Sequence, residues 1–410
     1  MPAPRLLLAA LAFGGVVSAA EIPISVLEPA DRGMVLRDVP VAVGVVFPAG
    51  EMTSAEAGTL VDDTGRAVAF ESEVTGWWEP ERRNVKWLLL RFRADTDRGY
   101  VFKTEGKALR PSGAPMVAER DGVVTVDTGA LRVDLRQGRG RLIDSAELRG
   151  KAALGEGGVA QLLRLTFPDG ATEMKDWRVA VEESTPYRVL LRCTGRLATS
   201  WSEAAATVDA RMEFHRGEST VRLWHTLTWR VANPAIGARD YALTLRVPPG
   251  ASVVRLGTED NLAGTVGAPW AGKSVLYAHQ DQPDHFSVAV DGKTTQEGKR
   301  LGGWIAMERP DGAGVGVAVR DFWQTYPKSF ALDGDRLRVE FWSSRGAPMG
   351  FGYEDIMPSD FYNDAKYWNR FKWVENKGHF VHEFGTNPHF VHTPEGMART
   401  HEVLLHFYDK

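Results

Sequence analysis

The chain has 410 residues, with 53 acidic against 49 basic side chains and a net charge of −4. Charges of both signs are interspersed, so no basic tract marks a nucleic-acid partner, and the single cysteine, Cys193, excludes an intramolecular disulfide. A chain of this length supports two or three domains and substantial cores without covalent staples.

Residues 1–20 read as a secretory signal peptide: Arg5, an apolar run from Leu6 to Val17, then Ser18-Ala19-Ala20 before the acidic Glu21. That run is too short to span a bilayer, and no later segment is long and apolar enough to do so. The expected product is secreted or periplasmic, and the lack of a disulfide leans toward the periplasm.

Nearly every patterned segment that follows alternates with period two. In 85–94, Leu88, Leu90 and Phe92 face one way and Trp87 and Leu89 the other, so both faces are expected to be covered. Around 106–121 the run Lys107-Ala108-Leu109-Arg110-Pro111-Ser112-Gly113-Ala114-Pro115 breaks the alternation and predicts a domain boundary. Residues 21–115 are enough for a small barrel or sandwich. From 123 onward a strand series runs to the C-terminus, and 116–410 suits a large two-sheet sandwich.

Cys193 lies on the apolar side of a predicted strand, with Val189, Leu191 and Leu197. It reads as a buried inert thiol, because nothing nearby favours a thiolate. Segment 207–215 alternates Val208, Ala210, Met212 and Phe214 with polar residues. In 221–231 one face is Val221, Leu223, His225, Leu227, Trp229 and Val231, and His225 reads as a core histidine. Tyr241-Leu243-Leu245-Val247, Leu337-Val339-Phe341 and His401-Val403-Leu405-Phe407 repeat the pattern. Turns such as Pro248-Pro249-Gly250, Asp291-Gly292 and Pro310-Asp311-Gly312 punctuate it. The fold class is all-β, with half-buried antiparallel strands.

The densest chemistry is Arg320-Asp321-Phe322-Trp323-Gln324-Thr325-Tyr326-Pro327-Lys328, directly after the apolar run Gly314 to Val319. Indoles stack on pyranose faces, and planar polar groups take hydroxyls and carboxylates. The stretch equally fits a core strand leaving through a Pro turn, with Phe322 and Trp323 buried and Arg320–Asp321 a local ion pair. Arg188, Arg192 and Arg196 on one strand face, with Asp209, Arg211 and Glu213 on another, suit either a basic-walled groove or cross-strand ion pairs. The aromatic and polar segment 360–373 suits a sugar-contacting loop or a loop packed over a sheet edge.

His379, His382, His389, His392, His401 and His406 cluster near the C-terminus. His-Phe-Val-His at 379–382 and 389–392 puts its histidines on opposite sides of a strand, which argues against a metal site. His401 heads the last predicted strand beside Glu402, where an imidazole can serve as acid or base or simply line the sandwich rim. No Gly-x-Ser-x-Gly elbow, phosphate-binding Gly loop or HExxH is present. No cofactor or metal is called for.

The order of parts resembles the exo-rhamnogalacturonan lyase-like family. Val39-Pro40-Val41-Ala42-Val43-Gly44-Val45-Val46-Phe47-Pro48-Ala49-Gly50 and Val85-Lys86-Trp87-Leu88-Leu89-Leu90-Arg91-Phe92 resemble its first domain. Val126-Asp127-Thr128-Gly129-Ala130-Leu131, Arg320 to Lys328 and Ala398-Arg399-Thr400-His401-Glu402-Val403-Leu404-Leu405 resemble its second. The resemblance implies a RIFT-type β-barrel over 21–115, a β-sandwich over 116–410, and cleavage of uronic-acid-containing polysaccharide by β-elimination. Longer members continue into a helical toroid, and this chain stops at Lys410, so a non-catalytic carbohydrate-binding or assembly protein is the alternative.

β-Elimination requires neutralising a uronate carboxylate, removing the adjacent proton and protonating the leaving oxygen. Arg320 or Lys328 suits the first task, and Tyr326 or His401 the other two. Trp323 and Trp342 are the expected sugar platforms and Gln324 a hydroxyl reader. The expected partner is an acidic polysaccharide or oligosaccharide, with no nucleic acid and no membrane span.

Overall fold

The computed structural model describes residues 20–27, 34–166, 170–233, 236–247, 250, 252–258, 263–265, 274–346, 348–349 and 394–409. Residues 1–19, where a signal peptide is expected, Pro248-Pro249, the 360–373 segment and His379, His382, His389 and His392 lie outside them. The described residues form antiparallel strands and no helix. The chain divides between Ala114 and Pro115 into two compact units.

The first unit holds two three-stranded sheets. One runs Glu21–Ser25, Gly99–Lys107, Ala57–Asp62, and the other Val39–Val46, Val85–Ala94, Phe70–Trp77. Its core gathers Val45, Phe47, Leu60, Phe70, Leu88, Leu90, Phe92 and Phe102, with Phe102 edge-on to Phe47 and Phe70 at 6.1 and 5.8 Å. At a register shift beside Thr59, Gly58 sits at φ 97°, where a Cβ would lie 2.5 Å from the Phe102 ring. Only glycine fits there. The expectation that both faces of 85–94 are covered is corrected: Leu88, Leu90 and Phe92 are buried, Leu89 is half-buried and Trp87 is 44% exposed. A strand buried on one face keeps the other toward water.

The second unit is dominated by two large sheets. The nine-stranded one runs Glu173–Ser184, Arg188–Ala198, Ala206–His215, Thr220–Trp229, Ala398–Tyr408, Gly314–Val319, Trp304–Glu308, Val253–Gly257, Ala263–Thr265. The eight-stranded one runs Arg141–Ile143, Val159–Leu165, Ala238–Arg246, Arg336–Trp342, Lys328–Asp333, Val275–Gln282, His285–Val290, Lys293–Gly298. A five-stranded sheet built from 117–152 accompanies them. Alternation places Val221, Leu223, Val403, Leu405 and Phe407 from the first sheet, and Leu243, Leu245, Val339 and Phe341 from the second, in one continuous core. Cys193 lies in that core, and burial pushes its thiol pKa far up, so it is inert.

Candidate functional site

The chain crosses from the nine-stranded to the eight-stranded sheet between Val319 and Lys328, so the Arg320–Lys328 cluster is divided between environments. Arg320 stays with the nine-stranded sheet: its backbone N–H donates to the Glu402 carbonyl at 3.0 Å, and its guanidinium reaches the Glu402 carboxylate at 3.0 Å. That bond raises the pKa of Arg320 further. Asp321 turns the chain at φ 51°, and Thr325 N–H donates back to its carbonyl at 3.1 Å. Phe322 turns inward and stacks on Phe330 at 4.7 Å. Trp323 is half-buried, with the Arg300 guanidinium 4.1 Å over its ring. Gln324 and Tyr326 are exposed.

Lys328 begins a strand of the opposite sheet with its ammonium sealed inside, donating to the Thr325 carbonyl at 2.5 Å and to its hydroxyl. Desolvation, helped by the positive field of Arg399, holds its pKa down to about 7. His401 is also interior rather than on the rim, because its strand is inserted between Thr220–Trp229 and Gly314–Val319. It lies opposite His225 and stacks on Phe341 at 4.1 Å. Burial, with Lys328 and Arg399 adding to it, holds its pKa well below the usual imidazole value. Its sequence neighbour Glu402 points to the other face, toward Arg222 at 2.7 Å and Arg320, so the two form no acid–base pair. Trp342 ends its strand half-buried, packed against the core. Of the seven predicted side chains, Arg320, Gln324 and Tyr326 thus reach solvent, Trp323 and Trp342 are half-buried, and Lys328 and His401 lie in the interior.

The outer face of the nine-stranded sheet resolves the arginine question in favour of ion pairs. Arg188 bonds Glu183 and Glu213, Arg192 bonds Asp209 at 2.5 Å, Arg196 bonds Asp176 at 2.6 Å and Arg211 bonds Glu182 at 2.7 Å. Each of these four arginines already has its anion.

The outer face of the eight-stranded sheet is different, and sequence reasoning passed over it. Strands Ala238–Arg246 and Arg336–Trp342 pair so that Thr244 opposes Arg338, Ala242 opposes Glu340 and Arg246 opposes Arg336. Asp240 and Glu340 are fully buried on this face. Arg164 donates to Asp240 through Nε at 2.8 Å, and Arg338 contacts Glu340 at 3.0 Å and Asp240 at 3.4 Å. The turn after Trp342 folds back over it: Ser344 N–H and Oγ donate to the Glu340 carboxylate at 3.0 and 2.9 Å. Tyr277 bonds Ser343, Ser329 and Glu340, with the Arg345 guanidinium 3.9 Å over its ring. Asp240 Oδ1, Arg338 Nε and His279 Nε2 are buried without a hydrogen-bond partner among the described residues.

Further along this face lies an open hollow of about 750 Å³. Its floor includes Ala160, Leu162 and Thr244, and its rim carries Arg141, Arg246, Arg336, Glu156 and Asp335. The signal was available in the polar half of a stripe read for its apolar half: Arg336, Arg338 and Glu340 alternate with Leu337, Val339 and Phe341. Among the described residues no three His, Cys, Asp or Glu side chains are grouped to hold a metal, and no helix is long and apolar enough to cross a membrane.

These features define an all-β protein built on a large antiparallel sandwich with one polar, hollowed sheet face. The chain belongs to the family of the PcRGLX-like protein central beta sandwich domain, whose model matches residues 116–247 and 277–410, more than half of its length. No protein of curated function matches it. Among solved structures, it is similar to a protein in the glycosyl hydrolase family 38 from Enterococcus faecalis, at 9% identity over 91% of this chain and 43% of that one, with a TM-score of 0.49. An α-mannosidase from Enterococcus faecalis V583 matches at 8% identity over 91% of this chain and 42% of that one, TM-score 0.47. A galactose mutarotase related enzyme from Lactobacillus acidophilus matches at 9% identity over 72% and 98%, TM-score 0.30. The chain thus spans less than half the length of either Enterococcus protein.

Proposed function

We propose that this chain is an exported protein that acts on uronic-acid-containing polysaccharide of the rhamnogalacturonan or pectin type, cleaving it by β-elimination. The observation that carries the reading is membership of the PcRGLX-like β-sandwich family. Of the groups expected to do the chemistry, Arg320 and Tyr326 reach solvent. An arginine beside a uronate carboxylate makes the adjacent proton more acidic, and a tyrosine at hydrogen-bond distance can take that proton as the phenolate and, as the phenol so formed, protonate the leaving oxygen. Accordingly, Tyr326→Phe and Arg320→Ala should each abolish the absorbance of unsaturated product while circular dichroism stays unchanged. Full activity in both variants refutes these roles.

The burial of Lys328 and His401 favours a second reading, in which the chain binds such a polymer without cleaving it. The two readings separate when the protein is incubated with several uronate polymers and followed by absorbance and by calorimetry. Rising absorbance marks a lyase, and a binding isotherm without absorbance marks a binder. Neither signal with any uronate polymer removes both.

A further inference from the structure

The two outer sheet faces of the larger unit are chemically unlike. On the nine-stranded sheet arginines and carboxylates neutralise each other in a ladder. On the eight-stranded sheet the hollow over Ala160, Leu162 and Thr244 is rimmed by three arginines, and Arg338 follows Arg336 on the same face two residues along the strand. Arg246 is tied to Asp335 at 2.7 Å, and Arg141 lies 3.9 Å from Asp144. Arg336 is exposed, and its guanidinium has neither an ion-pair nor a hydrogen-bond partner among the described residues. Arg338, though it touches two carboxylates, leaves Nε unbonded.

Ala160 and Thr244 keep part of the floor low, and the backbone fixes the wall. Gly155 N–H donates to the Arg246 carbonyl at 2.9 Å, and Arg246 N–H donates to the Gly158 carbonyl at 3.0 Å. A Cβ on Gly158 would lie 2.0 Å from the Ile143 carbonyl oxygen, so this loop can press so close only as glycine. A preformed concavity with a few convergent polar groups is the usual form of a ligand site. The free planar cation at its edge selects a carboxylate, which a guanidinium takes in a two-pronged hydrogen bond.

We propose that this hollow, with Arg336 at its edge, is a binding site for an acidic oligosaccharide, Arg336 holding a uronate carboxylate. The proposal rests on the reading of the chain as a handler of uronic-acid polymers and adds where the polymer lies. It is tested by titrating the intact chain with a galacturonate oligomer and with the matching neutral galactose oligomer. The variants are Arg336→Ala, Ala160→Trp, which fills the hollow, and Arg211→Ala, which removes an equal charge from the other sheet face; thermal unfolding checks that each is folded.

The expected result is preferential binding of the acidic oligomer, weakened roughly tenfold or more by Arg336→Ala. It is lost in Ala160→Trp, kept in Arg211→Ala and weakened by added salt. If the wild-type chain binds the acidic oligomer and Arg336→Ala and Ala160→Trp bind it equally well, the site is overturned while the polysaccharide reading stands. Equal binding of the neutral oligomer overturns carboxylate recognition. Absence of binding and cleavage with every uronate polymer overturns both.

Discussion

His225 and His401 are directly opposed on neighbouring strands, and both rings lie among Tyr241 and Phe341, with His225 Nδ1 bonded to the Tyr241 hydroxyl. Among the described residues no carboxylate acts on either ring, and Lys328 and Arg399 add positive potential against His401. Burial therefore keeps His225 neutral down to a pKa of about 4, and His401 is held well below its usual value. In the unfolded chain both take up protons from about pH 6.5. Below that pH the unfolded state binds protons that the folded state refuses, so stability falls from about 6.5 down toward 4. Glu213 behaves differently: burial opposes its ionisation, but His215 and Arg188 outweigh it and hold its pKa to about 2. Its contribution is complete above the usual carboxylate value and fades only between about 4.5 and 2. Thermal unfolding should thus show a first loss beginning near pH 6.5, with a shallower slope in His225→Phe than in wild type. An unchanged slope above pH 4.5 counts against the histidine pair. The core placement of His225 was legible in its apolar stripe. That of His401 was not, since whether a strand's first histidine lies at a rim depends on which strands flank it, and those come from distant parts of the chain.

At the scale of elements, the strand Ala398–Tyr408 joins two parts of the nine-stranded sheet, pairing with Thr220–Trp229 on one side and Gly314–Val319 on the other. Period-two alternation made its inward face readable: Val403, Leu405 and Phe407 are buried, and Leu404 is 39% exposed. Leu405→Ala should cost about 2–5 kcal/mol in urea unfolding, as cavities in closed cores do. Leu404→Ala should stay near the surface range of about 0.5 kcal/mol. Comparable losses in the two would mean that the strand's faces are wrongly placed. The segment 320–327 shows where such reading ends. Alternation holds only while the chain remains in one strand, and here the positive-φ Asp321 and the turn closed by Thr325 carry it to the opposite sheet. Arg320 and Lys328, the two ends of one short polar stretch, come to lie in solvent and in the interior.

Over the larger unit as a whole, the distribution of charge matters more than its sum. Surface ion pairs contribute little to stability, with a median near 0–1 kcal/mol. The ladder of Arg188, Arg192, Arg196 and Arg211 chiefly cancels the field on its own sheet. A polyanion approaching that face meets carboxylates as often as guanidiniums. Approaching the eight-stranded face, it meets the uncompensated Arg336 at the edge of a hollow. Electrostatic complementarity of this kind governs where an encounter settles and is screened by salt. Hydrogen exchange with a saturating galacturonate oligomer should therefore slow at the Gly155–Gly158 loop and at the 334–336 turn, both lining or adjoining the hollow. Strands Arg188–Ala198 and Ala206–His215 should keep their rates, and the slowing should shrink as salt rises. Protection confined to those two strands instead would move the polymer to the other sheet, and would require the ladder's arginines to exchange their present partners for its carboxylates.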